Sequence, residues 1–191
     1  MVVAVFSRPS SEYGARHGYA EFPLSRARWC QKGGLDCGPI SYEPQSVEGP
    51  RGFPAGGPRD GELASATNQR FSELDGVWAP NGKPWPVTDL MAGCLYQFRW
   101  YLTAPHSTAK FHYYLTLPGW NHTAKLTRAS FDSEPWLTVE FQQGEISGRE
   151  VSHWARIPSG RGGRHVLYAV WDVADTSNAF YSACDVNLTG P

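Results

Sequence analysis

Residues 95–102 read LYQFRWYL, a stretch in which two sets of side chains alternate along the chain. One set is wholly apolar or aromatic, whereas the set between them includes Gln97 and Arg99. Successive side chains of a β-strand point to opposite faces of its sheet, so this alternation predicts a strand with one face in the core. The predicted core face comprises Tyr96, Phe98, Trp100 and Leu102.

Three further strands are predicted, over residues 110–117, 165–172 and 180–188. In the first of these, the predicted core face holds Phe111, Tyr113, Leu115 and Leu117. The predicted outward face holds Lys110, His112, Tyr114 and Thr116. The apolar faces of such strands become buried when their sheet packs against a second sheet.

Residues 30–90 depart from the strand pattern, because they are rich in glycine and proline. Only residues 68–74 suggest one or two helical turns. Long irregular segments inside a compact domain are often functional. The fold is therefore predicted to be all-β, an antiparallel β-sandwich of the immunoglobulin or fibronectin type III kind. A large decorated loop is expected between its early strands.

Composition bounds the classes of protein that the chain belongs to. Its 191 residues indicate a single domain over residues 17–191, and a charged fraction of 18% with 14% aromatic residues indicates a packed core. The net charge of −1 argues against nucleic acid as a partner, because nucleic-acid-binding proteins carry a basic excess. Apolar runs are all too short to span a membrane. A monomer is expected.

The four cysteines are Cys30, Cys37, Cys94 and Cys184. Their even number, without a Cys-x-x-Cys pair, favours two disulfides and an oxidising compartment over a metal site. Cys30 and Cys37 would close a short loop. Cys94 and Cys184 share the inward parity of their strands, which predicts a bridge between them. Four free thiols are the alternative.

Residues 1–16 make a poor signal peptide, because the apolar run of residues 1–6 is short and lacks a basic start. We interpret them as a leader remnant or tail that is removed from the mature protein. They are left out of the fold prediction.

The histidines show no His-x-x-x-His pair and no spacing typical of a Ser-His-Asp triad. His112 is expected on the outward face of its strand, and His122, His153 and His165 at loop or strand edges. Solvated or hydrogen-bonded side chains are the expectation for all four. These features alone predict a secreted β-sandwich that serves as a binding module.

A series of motifs runs through the chain in one order. They are His17-Gly18-Tyr19, Pro23-Leu24-Ser25-Arg26, residues 42–50 (YEPQSVEGP), Gly52-Phe53-Pro54, residues 103–108 (TAPHST), Leu126-Thr127-Arg128, residues 169–176 (AVWDVADT) and Asn178-Ala179-Phe180-Tyr181. Over about residues 17–189 this order resembles the bacterial lytic polysaccharide monooxygenases of auxiliary activity family ten. These are copper-dependent, chitin-binding proteins.

The resemblance implies one copper ion held by a histidine brace. His17 would give its α-amine and a ring nitrogen, and His106 a second ring nitrogen, a donor set that suits Cu(II). His17 would then have to be the first residue of the mature protein, with residues 1–16 removed. Phe180 matches the apolar residue on one axial side of the metal, and Ala104 the small residue on the other.

The resemblance also implies the residues that surround the copper. Glu48 matches an acidic residue that positions the oxygen co-substrate. A flat face is expected to bind the crystalline polysaccharide by ring stacking and hydrogen bonds. Its residues would be Tyr42, Glu43, Pro44, Thr103, Asp175 and Asn178.

The function implied by the resemblance is oxidative cleavage of glycosidic bonds in crystalline chitin, at C1. Hydrogen peroxide or oxygen would be the oxidant, and an external electron donor would supply electrons. A cellulose-active member of the family is the alternative for the substrate. A non-catalytic chitin-binding protein is the alternative for the function. A glycoside hydrolase that uses Glu48 and Asp175 is disfavoured, because it needs opposed carboxylates across a cleft.

Overall fold

The computed structural model describes residues 17–105, 107–142 and 148–190. Within these ranges the chain forms strands joined by long loops and short helices. The strands are β1 (His17–Phe22), β2 (Glu48–Pro50), β3 (Thr88–Met91), β4 (Leu95–Ala104), β5 (Thr108–Leu115), β6 (Leu137–Glu140), β7 (Glu150–Arg156), β8 (Gly163–Val173) and β9 (Asn178–Thr189). The helices are α1 (Arg26–Lys32) and the 3-10 helices Gly38–Ser41, Gln69–Asp75 and Arg128–Ser130. Each of these helices is too short or too polar to span a bilayer.

Two sheets pack face to face, which confirms the predicted β-sandwich. The smaller sheet has the strand order β1-β4-β7, and the larger has the order β2-β9-β8-β5-β6. Strand β3 adds to the larger sheet by parallel pairing with β9, and the other pairs are antiparallel. The irregular segment lies among the early strands, as predicted, and contributes the helix Gln69–Asp75 at the expected place.

Aromatic side chains fill the space between the two sheets. Trp171 lies at the centre, stacked on Phe111 with ring centroids 5.9 Å apart and on Phe180 at 4.9 Å. Trp100 meets Phe111 edge-on from the smaller sheet. All four rings are buried, and replacing any of them by alanine would cost roughly 3–5 kcal/mol.

A second core covers the opposite face of the larger sheet. The irregular segment packs Phe53 and Leu63 against Tyr114 and Tyr168, and the Tyr168 hydroxyl donates a hydrogen bond to the carbonyl of Leu63 at 2.8 Å. The prediction that His112, Tyr114 and Thr116 face outward to solvent was therefore wrong, because all three are buried. Alternation fixes which side chains share a face, but not whether a loop covers that face.

Two histidines that were expected at edges are also buried. His165 is 2% exposed and lies within hydrogen-bond distance of the Thr116 hydroxyl. His153, on β7, is 6% exposed and lies 2.7 Å from the Tyr113 hydroxyl through Nδ1. Because the Trp100 indole donates to that hydroxyl, the Tyr113 proton is free to bond His153 Nδ1 and favours the neutral ring. Burial lowers the pKa of His153 to about 4.

The Cys30–Cys37 disulfide is present, but the predicted Cys94–Cys184 disulfide is wrong. Cys94 lies in the turn before β4, where the Ala92 amide bonds the Thr189 carbonyl at the end of β9. Cys184 lies five residues before Thr189 on β9, which places it roughly 16 Å along the strand from this turn at about 3.3 Å per residue. This separation is far beyond the Cα distance of a disulfide.

Replacing both Cys30 and Cys37 by serine should lower the free energy of unfolding by about 2.5 kcal/mol, because the disulfide closes a short loop in the unfolded chain. Cys94→Ser should change it by no more than about 0.5 kcal/mol. Urea unfolding measures both effects. A further loss of stability when the double variant is treated with a reductant would contradict the structure, because it would indicate a second disulfide.

The stability should also fall as the pH drops from about 6.5 towards 4. In this window the unfolded chain protonates His153 while the native state keeps it neutral, so the native state loses up to about 3 kcal/mol of stability relative to pH 7. Unfolding free energies of the parent and of His153→Asn, measured at pH 7 and pH 4, test this. The variant should lose less stability between the two pH values, and equal losses would contradict the assignment.

Candidate active site

The pairing of β1 with β4 brings two sequence-predicted residues together. His17 lies opposite Ala104, and the Thr103 hydroxyl donates a hydrogen bond to the His17 carbonyl at 3.1 Å. The imidazole of His17 is half-buried, and its Nδ1 lies 3.3 Å from the Ser46 hydroxyl. The histidine is therefore held from both its backbone and its ring.

Gly18 allows β1 to lie close to the core. A Cβ on this residue would meet Leu102 Cδ2 at 2.7 Å and Trp171 Cζ3 at 3.0 Å, so a side chain here would displace the strand. The Gly18 amide also bonds the carbonyl of Gln45, which ties the loop of residues 42–47 to the start of β1. The position of His17 thus depends on this glycine.

Phe180 closes the other side of the histidine. It is paired with Glu48 across β2 and β9, and its ring meets the His17 ring edge-on with centroids 6.4 Å apart. Trp171 stacks behind it, so the ring is fully buried and fixed from the core. The predicted neighbours His17, Ala104, Glu48 and Phe180 therefore lie at one end of the sandwich.

Glu48 is held in place by an amide. The Asn178 Nδ2 donates a hydrogen bond to Glu48 Oε1 at 2.9 Å, and both residues are half-buried. The second carboxylate oxygen, Oε2, has no hydrogen-bond partner among the described residues. This oxygen is available to accept a hydrogen bond or to hold a proton.

The expected substrate-binding residues differ in exposure. Tyr42 is 88% exposed and Asp175 is exposed, so both offer surface to a ligand. Glu43 is half-buried and its carboxylate contacts the Arg70 guanidinium at 2.6 Å. Pro44 is buried and offers little surface, in contrast to the expectation that it contacts the substrate.

Three residues beside these were missed from the sequence. Ser46 lies within the motif of residues 42–50, so the motif could have indicated it. Arg70 bonds Glu43 from 27 residues away, and Arg149 Nη1 donates to the Thr103 carbonyl at 2.7 Å from 46 residues away. Neither arginine belongs to a motif, and only the folded chain brings them to the site.

His106, the second expected copper ligand, lies outside the described residues. Within the described part of the chain, no group of three or more His, Cys, Asp and Glu side chains is placed to hold a metal. The residues around His17 nevertheless fit copper: imidazole nitrogen suits it, and the flanking Phe180 and Ala104 add no competing donor.

Comparison with known proteins gives concordant matches. A family model described as "Lytic polysaccharide mono-oxygenase, cellulose-degrading" matches residues 17–186. A "GlcNAc-binding protein A" of Shewanella oneidensis is 41% identical over 181 residues, which are 94% of this chain and 37% of that protein. An "AA10 family lytic polysaccharide monooxygenase C" of Mycosarcoma maydis is 39% identical over 193 residues, which are 99% of this chain and 57% of that protein. The chain thus spans between about a third and somewhat over half of these curated relatives.

Solved structures agree with the fold. An AA10 lytic polysaccharide monooxygenase from Streptomyces lividans is 48% identical with a TM-score of 0.87, over 90% of this chain and 99% of that one. A Bacillus amyloliquefaciens CBM33 in complex with Cu(I) is 39% identical with a TM-score of 0.78, over 91% of this chain and 100% of that one. The second of these shows a copper ion bound to the same kind of sandwich.

Replacing Gly18 by alanine should disturb the site through overpacking. The added Cβ should cost about 1–3 kcal/mol of stability and move His17 away from Phe180, which should weaken Cu(II) binding at least tenfold. Gly56→Ala is the matched control, because its Cβ would meet only ordinary contacts of 3.6 Å or more. Urea unfolding and Cu(II) titration measure the two effects. Unchanged Cu(II) affinity in Gly18→Ala would contradict this role of the glycine.

Proposed function

Because the chain belongs to the lytic polysaccharide monooxygenases of auxiliary activity family ten, we propose that it cleaves glycosidic bonds of crystalline chitin oxidatively, at C1. Copper-dependent oxidation of polysaccharides is the activity of this family. The observation that carries the proposal is the convergence of His17, Glu48 and Phe180 at one end of the sandwich. Such a set suits a metal site beside a carboxylate that faces substrate.

We propose that His17 and His106 hold the copper ion. The backbone nitrogen of His17 becomes a ligand only as a free amine, since a peptide nitrogen binds copper poorly at neutral pH. The proposal therefore includes removal of residues 1–16 before the enzyme acts. When bound, copper supplies the one-electron redox chemistry that the protein side chains lack.

Glu48 serves the oxygen co-substrate in this account. The amide of Asn178 fixes Oε1, so Oε2 keeps a constant direction and can accept a hydrogen bond or hold a proton. Phe180 keeps water from the side of the His17 ring that it contacts, because it is buried and packed against Trp171. Glu48 thus orients the co-substrate, and Phe180 excludes water.

Chitin is proposed as the substrate from the exposed Tyr42 and its motif. A tyrosine that is 88% exposed offers a ring on which a sugar can stack, and Asp175 and Glu43 offer acceptors for amide and hydroxyl groups. The names of several relatives refer to N-acetylglucosamine binding, whereas the family model is described as cellulose-degrading. Cellulose is therefore the alternative substrate to be tested in parallel.

Secretion belongs to the same proposal. The Cys30–Cys37 disulfide is typical of proteins that mature in an oxidising compartment, and an insoluble polysaccharide is met outside the cell. An external electron donor is required as a partner. We propose that the enzyme acts as a monomer, because a single chain supplies all of the residues assigned to the site.

A non-catalytic chitin-binding protein is the second candidate function. It is favoured by one observation, that Arg16 precedes His17 in the sequence and leaves an uncleaved chain without a free amine at this position. Chitin binding through Tyr42 would persist in that case, while oxidation would not.

Mass spectrometry of the soluble products tests the proposal. The chain beginning at His17 and the chain of residues 1–191 are loaded with copper and given β-chitin or cellulose, with ascorbate and hydrogen peroxide. We expect aldonic-acid chito-oligosaccharides from the trimmed chain alone. Oxidised products from cellulose alone would contradict the proposal that chitin is the substrate. Absence of oxidised products from both chains, with chitin binding retained, would leave the binding function.

The role of Glu48 is tested by Glu48→Gln in the trimmed chain. Loss of a proton-holding group should lower the rate of product formation roughly 100-fold, within the range for general acid–base residues. Glu140→Gln, at an exposed position on β6, is the matched control and should leave the rate unchanged. Equal rates in the two variants would contradict the role of Glu48.

A further inference from the structure

An open cavity of about 240 Å³ lies away from the proposed copper site. We call it the distal pocket and define it by Arg26, Trp78, Trp120, Lys125, Arg164 and Asp185, which line it together with residues of the neighbouring loops. Arg164 stands at the start of β8, seven residues before Trp171, which packs behind Phe180. At about 3.3 Å per residue this places the two sites roughly 23 Å apart along the strand.

Two tryptophans form walls of the distal pocket. Trp78 is 52% exposed, an unusual exposure for so large an apolar ring, and the core described above makes no use of it. Trp120 is half-buried and is fixed by a hydrogen bond from its Nε1 to the Arg164 carbonyl at 2.8 Å. Indole rings in such a position offer flat faces to the C–H groups of a sugar.

The floor of the distal pocket is polar and rigid. Asp185 is 2% exposed and accepts hydrogen bonds from Arg26 Nε at 2.7 Å and from Arg164 Nη1 at 3.0 Å. Arg164 also donates through Nη2 to the Trp85 carbonyl, which leaves three of its five N–H donors without a partner among the described residues. These donors belong to a side chain that is 28% exposed and borders the cavity.

The loop that carries Trp78 is anchored from below. Arg26 Nη1 donates to the Leu74 carbonyl at 2.8 Å, and the Trp85 indole donates to the Gly76 carbonyl at 2.8 Å. The wall and the floor are therefore connected by buried hydrogen bonds. A preformed cavity of this kind loses little conformational entropy when a ligand binds.

The charges around the distal pocket select the class of ligand. Two of the three positive charges, those of Arg26, Lys125 and Arg164, are balanced by Asp75 and Asp185, which also line the pocket. The two carboxylates are buried, but their negative charge beside Arg26 and Arg164 weakens the attraction for a strongly anionic ligand, whereas a neutral polyol needs only the donors that Arg164 offers. Together with the indole walls, this balance favours a sugar over a phosphate or sulfate.

We propose that the distal pocket binds one pyranose ring of a neutral β-1,4-linked oligosaccharide. Trp78 stacks on the ring, and Arg164 donates hydrogen bonds to its hydroxyl groups. The pocket would give the protein a second hold on a loose polysaccharide chain, independent of oxidation. The β-1,4 linkage and the identity of the sugar, N-acetylglucosamine before glucose, rest on the proposed function.

Binding of soluble tetrasaccharides to the copper-free protein tests the proposal. Chitotetraose and cellotetraose are titrated separately, and the affinity of the distal pocket is measured from the amide chemical shifts of its lining residues in NMR spectra. Trp78→Ala should weaken binding at least tenfold, and Trp78→Phe should retain much of it, because phenylalanine still stacks. Trp154→Ala is the matched control, a tryptophan 63% exposed on β7, and should bind as the parent does.

Tyr42→Ala separates this site from the proposed active site, because it should remove ligand-induced shifts of the residues beside Tyr42 while those of the residues that line the distal pocket persist. Loss of the distal-pocket shifts in Tyr42→Ala but not in Trp78→Ala would overturn the proposal, as would the absence of these shifts when either tetrasaccharide is added to the parent. Tighter binding of gluconate than of either tetrasaccharide would overturn it too, since it would indicate an anion site. Neither copper nor reductant is present, so failure of polysaccharide oxidation would leave the result intact.

Discussion

The contact of Gly18 with Trp171 is the constraint on which the site depends. Strand β1 approaches the core closely at this residue, where a Cβ would lie 3.0 Å from the indole ring. The same indole stacks on Phe180, so one buried side chain determines the positions of both Gly18 and Phe180 beside His17. A histidine on a strand edge is otherwise free to turn into solvent, and here its neighbours are fixed before any ligand arrives.

The irregular segment has two consequences that follow from burial on both faces of the larger sheet. It covers the outer face with Phe53 and Leu63, which buries that face of the sheet. It also leads into β2, whose pairing with β9 places Glu48 opposite Phe180. The loop is thus part of the core and at the same time delivers the carboxylate of the site, which explains why so much non-strand chain persists in a compact domain.

Much of the sandwich was predictable from alternation, since β4, β5, β8 and β9 all carry clear apolar faces. Alternation could not show that His112 is buried, because the side-chain pattern of a strand does not show whether a loop covers its polar face. It also failed for Cys94, since shared parity says nothing of how far apart two residues lie along the strands of facing sheets. Family resemblance predicted Glu48 and Phe180 as neighbours, and the structure brings them together. The bond from Asn178 to Glu48 needed the fold, because 130 residues separate the two.

The central claim is that His17 becomes a copper ligand when it begins the chain. Electron paramagnetic resonance of Cu(II) bound to the trimmed chain, with ¹⁵N-labelled histidine, tests this most directly. We expect nitrogen couplings that change with the label, and that are lost or altered in His17→Ala and in the chain that keeps residues 1–16. The same spectrum from all three proteins would contradict the claim, because the copper would then be bound without His17.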